Sequence, residues 1–164
     1  MFPQQIEILA SAVIAAATER GVLIATAESC TGGLAAGALT AIAGSSAVVD
    51  RGFVTYSNEA KHEMLGVPMA LIAAHGAVSE PVARAMSEGA VAHSRATLAV
   101  SITGIAGPGG GSADKPVGLV HFAATDGAET VHEAHRFGDI GRDEVRLASV
   151  EVALTLLLAR LKAA

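Results

Sequence analysis

Short β-rich runs ending in hydroxyls and glycine alternate with alanine-rich stretches of helical spacing, and this alternation constrains the chain more than any single motif. Residues 4–20, QQIEILASAVIAAATER, set Ile6, Leu9, Val13 and Ala17 on one helical face and stop at Gly21. VLIATA (22–27) then reads as a strand that ends in a polar turn, and GGLAAGALTAI (32–42) as a small, apolar helix. AVVDRGFVTYS (47–57), entered through the Gly44-Ser45-Ser46 turn, reads as a second strand. NEAKHEML (58–65) follows as a short helix capped by Asn58, with Lys61 in its first turn. SEPVARAMSEGAVAHS (79–94), with Ser79 as N-cap and Pro81 just inside, leads into the strand ATLAVSITG (96–104). VGLVHFAA (117–124) and ETVHEAHRF (129–137) form a strand pair around Asp126-Gly127, and the rest, from Arg142, is one long helix. The order α-β-α-β-α-α-β-β-β-α predicts an α/β fold: a three-layer α/β/α domain with helices on both faces of a mixed sheet.

No repeat or linker divides the 164 residues, so a single domain over 1–164 is expected. Hydrophobic residues make up 51% and charged residues 16%, which disfavours disorder. Such a chain has little polar surface to spare, and a buried subunit interface, hence a homo-oligomer, is expected. A net charge of −5 without a basic cluster argues against a nucleic-acid partner. One cysteine fits a reducing compartment, MFPQQIEILA lacks the basic start of a signal peptide, and the apolar run 150–159 is too short to span a membrane. These features predict a cytoplasmic protein without a membrane partner.

In open α/β sheets ligands collect at the carboxyl ends of strands, where helix N-termini offer free N–H groups. ESCTGG (28–33) and TGIAGPGGG (103–111) occupy that kind of position. In the first, Ser29, Cys30 and Thr31 are all potential nucleophiles, and spacing alone does not choose among them. A hydroxyl nucleophile needs a base, and a lysine desolvated among alanines and valines serves. Of Lys61, Lys115 and Lys162, only Lys61 follows closely on a strand end, and Tyr56, the one tyrosine, lies five positions before it. The glycine-rich segment lacks both GxxxxGK[ST] and GxGxxG, so a nucleoside-triphosphate enzyme is not supported, although backbone N–H groups beyond Thr103-Gly104 suit an anion. Six histidines form no HExxH or similar pattern, so neither a metal nor another cofactor is expected. His132 and His135 belong on opposite faces of their strand.

Taken together, TAESCTGGLAAGALTAIAGSS, DRGFVTYSNEAKHEMLGV, HGAVSEPVARAM and SITGIAGPGGGSADKPVGLVHFA resemble the C-terminal domain of the CinA family from about residue 5 to residue 160. More closely, the chain resembles the stand-alone nicotinamide-nucleotide amidohydrolases of that family. That resemblance implies a pyridine nucleotide as small-molecule partner: hydrolysis of the carboxamide of nicotinamide mononucleotide to nicotinic acid mononucleotide and ammonia. It also implies a metal-free serine-lysine pair, carried over to Ser29 and Lys61. Tyr56 is then expected to orient the lysine or share the proton transfer. The N–H groups around Cys30, Thr31, Gly32 and Gly33 become oxyanion and binding donors, with Ser45, Thr103 and Gly104 lining the pocket. Arg142 or Arg146 is expected to meet the phosphate; the plainer reading of either is a surface pair with Asp143 or Glu144. Nothing in the sequence resembles the molybdopterin-binding-like domain that often precedes this one in CinA proteins. Two other readings are a nucleotide-binding module without turnover and, from the family name only, a DNA-processing accessory protein.

Overall fold

The computed structural model describes residues 1–163. Five strands, β1 (Ile24–Glu28), β2 (Val49–Val54), β3 (Leu98–Gly104), β4 (Leu119–Thr125) and β5 (Thr130–Arg136), form one sheet in the order β2-β1-β3-β4-β5. β1 pairs in parallel with β2 and β3, whereas β4 runs antiparallel to β3 and β5. All five residues of β1 are buried, as befits a strand covered on both faces. α1 (Gln4–Arg20), α2 (Leu34–Thr40) and α6 (Arg142–Lys162) cover one face, and α3 (Asn58–Leu65), α4 (Met69–His75) and α5 (Glu80–Ala92) the other. The expected α/β/α layering with a mixed sheet is therefore what the chain adopts. No helix among the described residues is long and apolar enough to cross a membrane.

Most boundaries follow local chemistry. α1 stops at Gly21, whose φ of 62° is left-handed and costs a glycine little. The β4–β5 hairpin turns where Asp126 Oδ1 accepts from the N–H groups of Ala128 and Glu129. His132 and His135 do lie on opposite faces: His132 stacks on His121 against α5, and His135 meets Phe122 and Phe137.

One local expectation is corrected, one holds in position but not in its hydrogen bond, and one helix was not foreseen. Ser57, not Asn58, caps α3, its Oγ accepting from the Ala60 N–H at 3.0 Å. Ser79 occupies the N-cap of α5, yet its hydroxyl donates backwards to the Gly76 carbonyl and leaves the helix N–H groups uncapped. α4 went unread because seven residues with a single buried side chain, Ile72, show no periodicity.

The sheet centre and its helices are packed with small side chains, so helices come close. A Cβ on Gly89 of α5 would stand 2.1 Å from the Leu65 carbonyl oxygen at the end of α3. Glycine there lets α5 hold α3, the helix that carries Lys61, against the sheet.

Candidate active site

β1 runs out at Glu28, and the next residue, Ser29, is still tied to the sheet by its N–H, which donates to the Ile102 carbonyl at 2.9 Å. The chain then turns through Cys30, Thr31, Gly32 and Gly33 into α2. Glu28, fully buried, fixes this elbow: Oε1 accepts from the Thr31 hydroxyl (2.7 Å) and the Ala35 N–H (2.8 Å), and Oε2 from the Ala36 N–H (3.0 Å). A carboxylate at a helix N-terminus satisfies orphan donors and complements the helix dipole. The sequence reading left Glu28 without a role. Its signal was there, an acid set just ahead of a helix whose own N-cap, Gly33, has no side chain to offer.

Lys61 comes from the opposite layer. It is 1% exposed, and its Nζ lies 3.0 Å from Ser29 Oγ and 2.9 Å and 3.3 Å from the carbonyl oxygens of Thr55 and Tyr56. Burial brings its pKa down to about 8 from the usual 10.5. The Ser57 carbonyl stands at 3.5 Å, so a neutral amine in this place can direct its two hydrogens to backbone carbonyls and its lone pair to the serine hydroxyl. Burial pushes the neighbouring Cys30 thiol the other way, up to about 11, which keeps it protonated near neutral pH and makes it a poor nucleophile. Of the three groups that spacing left open, Ser29 is the one with a base beside it, since the Thr31 hydroxyl is committed to Glu28.

The pair opens into a pocket of about 280 Å³. Thr103, Gly104, Gly107, Gly109 and Gly110 form one wall, Ala77 and Val78 another, and Tyr56, Asn58 and Arg142 stand at the mouth. Gly104 cannot carry a side chain, because a Cβ would meet Val120 at 2.6 Å and the Leu119 carbonyl at 2.9 Å. The Thr103 hydroxyl donates to the Ala77 carbonyl at 2.9 Å, joining the two walls. The Arg142 guanidinium donates to the Gly107 carbonyl (2.8 Å) and to the Tyr56 hydroxyl (3.2 Å). Tyr56 itself is 63% exposed with its ring at the mouth; its backbone carbonyl, not its phenol, touches Lys61. Asn58 and the Ala77-Val78 wall were not foreseen, having no distinguishing residue type.

The structure does not bring every expected residue into this pocket. Ser45 sits in a short 3-10 turn, Ser45–Ala47, between α2 and β2, its hydroxyl facing the Thr40 carbonyl. Thr31 points inward to Glu28, and the Gly32 N–H is taken by the Ser29 carbonyl at 3.0 Å. Gly33 lies against Val54 at the head of α2. Arg146 reaches the back of the elbow, donating to the carbonyls of Cys30 (3.1 Å) and Thr31 (3.3 Å); Cys30 lines the pocket, whereas Thr31, Gly32, Gly33, Ser45 and Arg146 do not. Neither Arg142 nor Arg146 pairs with Asp143 or Glu144.

An α/β/α sheet whose first strand ends in a serine beside a buried lysine defines a class, and comparison with known proteins gives that class a name. The model of the CinA C-terminal domain matches residues 6–161, and the chain belongs to that family. A CinA-like protein of Anaeromyxobacter dehalogenans is 55% identical over 147 residues, covering 88% of this chain and 35% of the relative. Another, from Syntrophobacter fumaroxidans, is 54% identical over 139 residues, covering 85% and 32%. The chain thus spans about a third of the length of the curated relatives it matches. Among solved structures, the competence/damage inducible protein CihA from Agrobacterium tumefaciens superposes with a TM-score of 0.95 at 58% identity, covering 97% of both chains. The competence damage-inducible protein A (ComA) from Klebsiella pneumoniae superposes at 0.91 with 38% identity, covering 96% of this chain and 98% of its own.

Proposed function

We propose that this chain hydrolyses the carboxamide of nicotinamide mononucleotide to nicotinic acid mononucleotide and ammonia, with Ser29 as nucleophile and Lys61 as base. The observation that carries this reading is the 3.0 Å contact between Lys61 Nζ and Ser29 Oγ inside a pocket. Neutral Lys61 takes the serine proton as Oγ bonds the amide carbon, and returns it to nitrogen as the C–N bond breaks and ammonia leaves. Water, deprotonated by the same amine, then cleaves the nicotinoyl ester and restores Ser29. The Cys30 N–H donates to no acceptor among the described residues and suits the developing oxyanion, as the residue after a nucleophile does on other strand-to-helix elbows.

Arg142 gives the reading its phosphate. It is the first residue of α6, at a helix N-terminus without a side-chain cap, and its guanidinium stands at the pocket mouth. The glycine wall, whose Gly107 carbonyl accepts from Arg142, lets a flat ring and its amide approach the backbone closely.

The test is ammonia release from nicotinamide mononucleotide, with chelator present, by wild type and Ser29→Ala side by side. The expected result is stoichiometric ammonia and nicotinic acid mononucleotide from wild type and none from the variant. Tight binding of the mononucleotide by a folded wild type that releases no ammonia would instead make the chain a binding module.

A further inference from the structure

Arg146 stands out because its geometry is that of neither a substrate ligand nor a surface charge. It lies one helical turn beyond Arg142 on α6, so both arginines leave the same face of the helix. Arg142 enters the pocket mouth; Arg146 goes behind the elbow, where Nε donates to the Cys30 carbonyl at 3.1 Å and one terminal nitrogen to the Thr31 carbonyl at 3.3 Å. The same nitrogen lies 3.3 Å from where a Cβ on Gly32 would be, and Gly32, at a φ of 56°, holds the turn in a shape that favours glycine.

A trans peptide points its C=O and the following N–H in opposite directions. Holding the Cys30 and Thr31 carbonyls from behind therefore sets the Thr31 and Gly32 N–H groups on the other side. The Gly32 N–H closes onto the Ser29 carbonyl at 3.0 Å, and this turns the remaining end of that peptide, the Cys30 N–H, out of the turn. The guanidinium and the turn bond fix three successive peptide planes, the Leu34 N–H also donating to the Thr31 carbonyl at 3.0 Å, and Glu28 ties the same segment from the helix side. Without the arginine, the Cys30 carbonyl loses its donor and the Thr31 carbonyl keeps the Leu34 N–H alone.

We infer that Arg146 is a positioning residue for the nucleophile: it locks the peptide planes of Cys30 to Gly32 so that Ser29 Oγ meets Lys61 and the Cys30 N–H faces the oxygen of the attacked carbonyl. This rests on the serine-lysine reading above. It assigns Arg146 to the rate of the chemical step and leaves recognition of the substrate's anion to Arg142.

The experiment compares wild type, Arg146→Met and Arg146→Lys in two assays. The first measures kcat and KM on nicotinamide mononucleotide. The second measures the rate at which a fluorophosphonate labels Ser29: Oγ bonds phosphorus, fluoride leaves, and the serine proton passes to Lys61. Arg146→Met should lower kcat and the labelling rate together by about 10²-fold, comparable to loss of an oxyanion donor, with KM within about twofold of wild type. Arg146→Lys, which keeps the charge but gives up the planar fork, should recover about tenfold of that loss. A raised KM with kcat preserved would make Arg146 a substrate ligand and overturn the inference. So would labelling of Ser29 in Arg146→Met at the wild-type rate, which would leave the serine-lysine reading standing. A wild type whose Ser29 takes no label overturns that reading first, and the role of Arg146 with it. Should Arg146→Met fail to fold by circular dichroism, the split between kcat and KM in Arg146→Lys decides alone.

Discussion

At the scale of single residues the chemistry depends on one proton. Lys61 titrates near 8 in the folded chain and near 10.5 unfolded, because burial disfavours its charged form. With the neutral amine as the proposed base, kcat/KM should climb about tenfold per pH unit below 8 and level off above it, which a pH-rate profile checks. The same shift acts on stability with a definite sign. Between about 8 and 10.5 the unfolded chain binds the proton and the folded chain does not, so stability gains with rising pH through that window. Thermal melts of wild type against Lys61→Met should show the difference moving in favour of the wild type from pH 8 to pH 10. On the proposed mechanism Ser29 and Lys61 act as one unit, so Ser29→Ala and Lys61→Ala should each lower kcat by about 10³-fold or more, and the double variant scarcely further. Clearly additive losses would separate the two residues. Lys61 was readable from sequence as the lysine nearest a strand end, and the resemblance paired it with Ser29. Glu28 carried a signal that went unread, an acid just ahead of a helix without a side-chain cap, whereas the role of Arg146 was not legible, because it acts on backbone carbonyls more than a hundred residues away and no spacing of side chains records which carbonyl a distant residue will hold.

At the scale of elements, strands and long helices declared themselves and short pieces did not. β1 and β3 showed as apolar runs ending in polar turns, and α1 and α6 as long periodic segments. α4 offered too few buried positions to set a period, and the caps of α3 and α5 depended on where neighbouring carbonyls fall. The packing of the β4–β5 hairpin on α5 brings a pH effect of its own. His121 Nδ1 and His132 Nε2 lie 2.9 Å apart, with Glu80 and Arg84 of α5 and Lys115, Glu133 and Arg136 around them. Burial, first of all, holds both imidazoles below their ordinary pKa, and for His121 the charges of His132 and Lys115 add to it. The unfolded chain therefore takes up protons first as pH falls through 6.5, and stability drops with it. A His121→Gln, His132→Gln double variant should lose less of its melting temperature between pH 7 and pH 5.5 than wild type does.

At the scale of the whole molecule, the layer order was legible because only helices on both faces can bury so apolar a sheet. What the molecule does with its remaining edge is a different matter. β2 closes one side of the sheet with no further strand beside it, and it exposes Val54 there and Tyr56 just beyond. Together with the low charge content this supports a homo-oligomer, for which sedimentation at micromolar concentration should give a mass above the 16.4 kDa of one chain. Sedimentation as a single chain would remove that expectation and leave the pocket to be completed by one copy alone.

The glycine wall of the pocket also decides how this protein must be interrogated. A survey that only removes side-chain atoms takes nothing away from Gly104, Gly107, Gly109 or Gly110, so it would pass over one side of the pocket as if it were blank. Adding carbon is the informative direction. At Gly107, with a φ of 84°, a methyl group would meet Val117 at 2.5 Å, and at Gly104 it would press on the neighbouring strand. For this family member the wall is fixed at Gly104 and Gly107 by what the backbone refuses to accommodate and open at Gly109, where an added carbon meets nothing within 4 Å, and a library of added bulk would draw that difference where a deletion library would not.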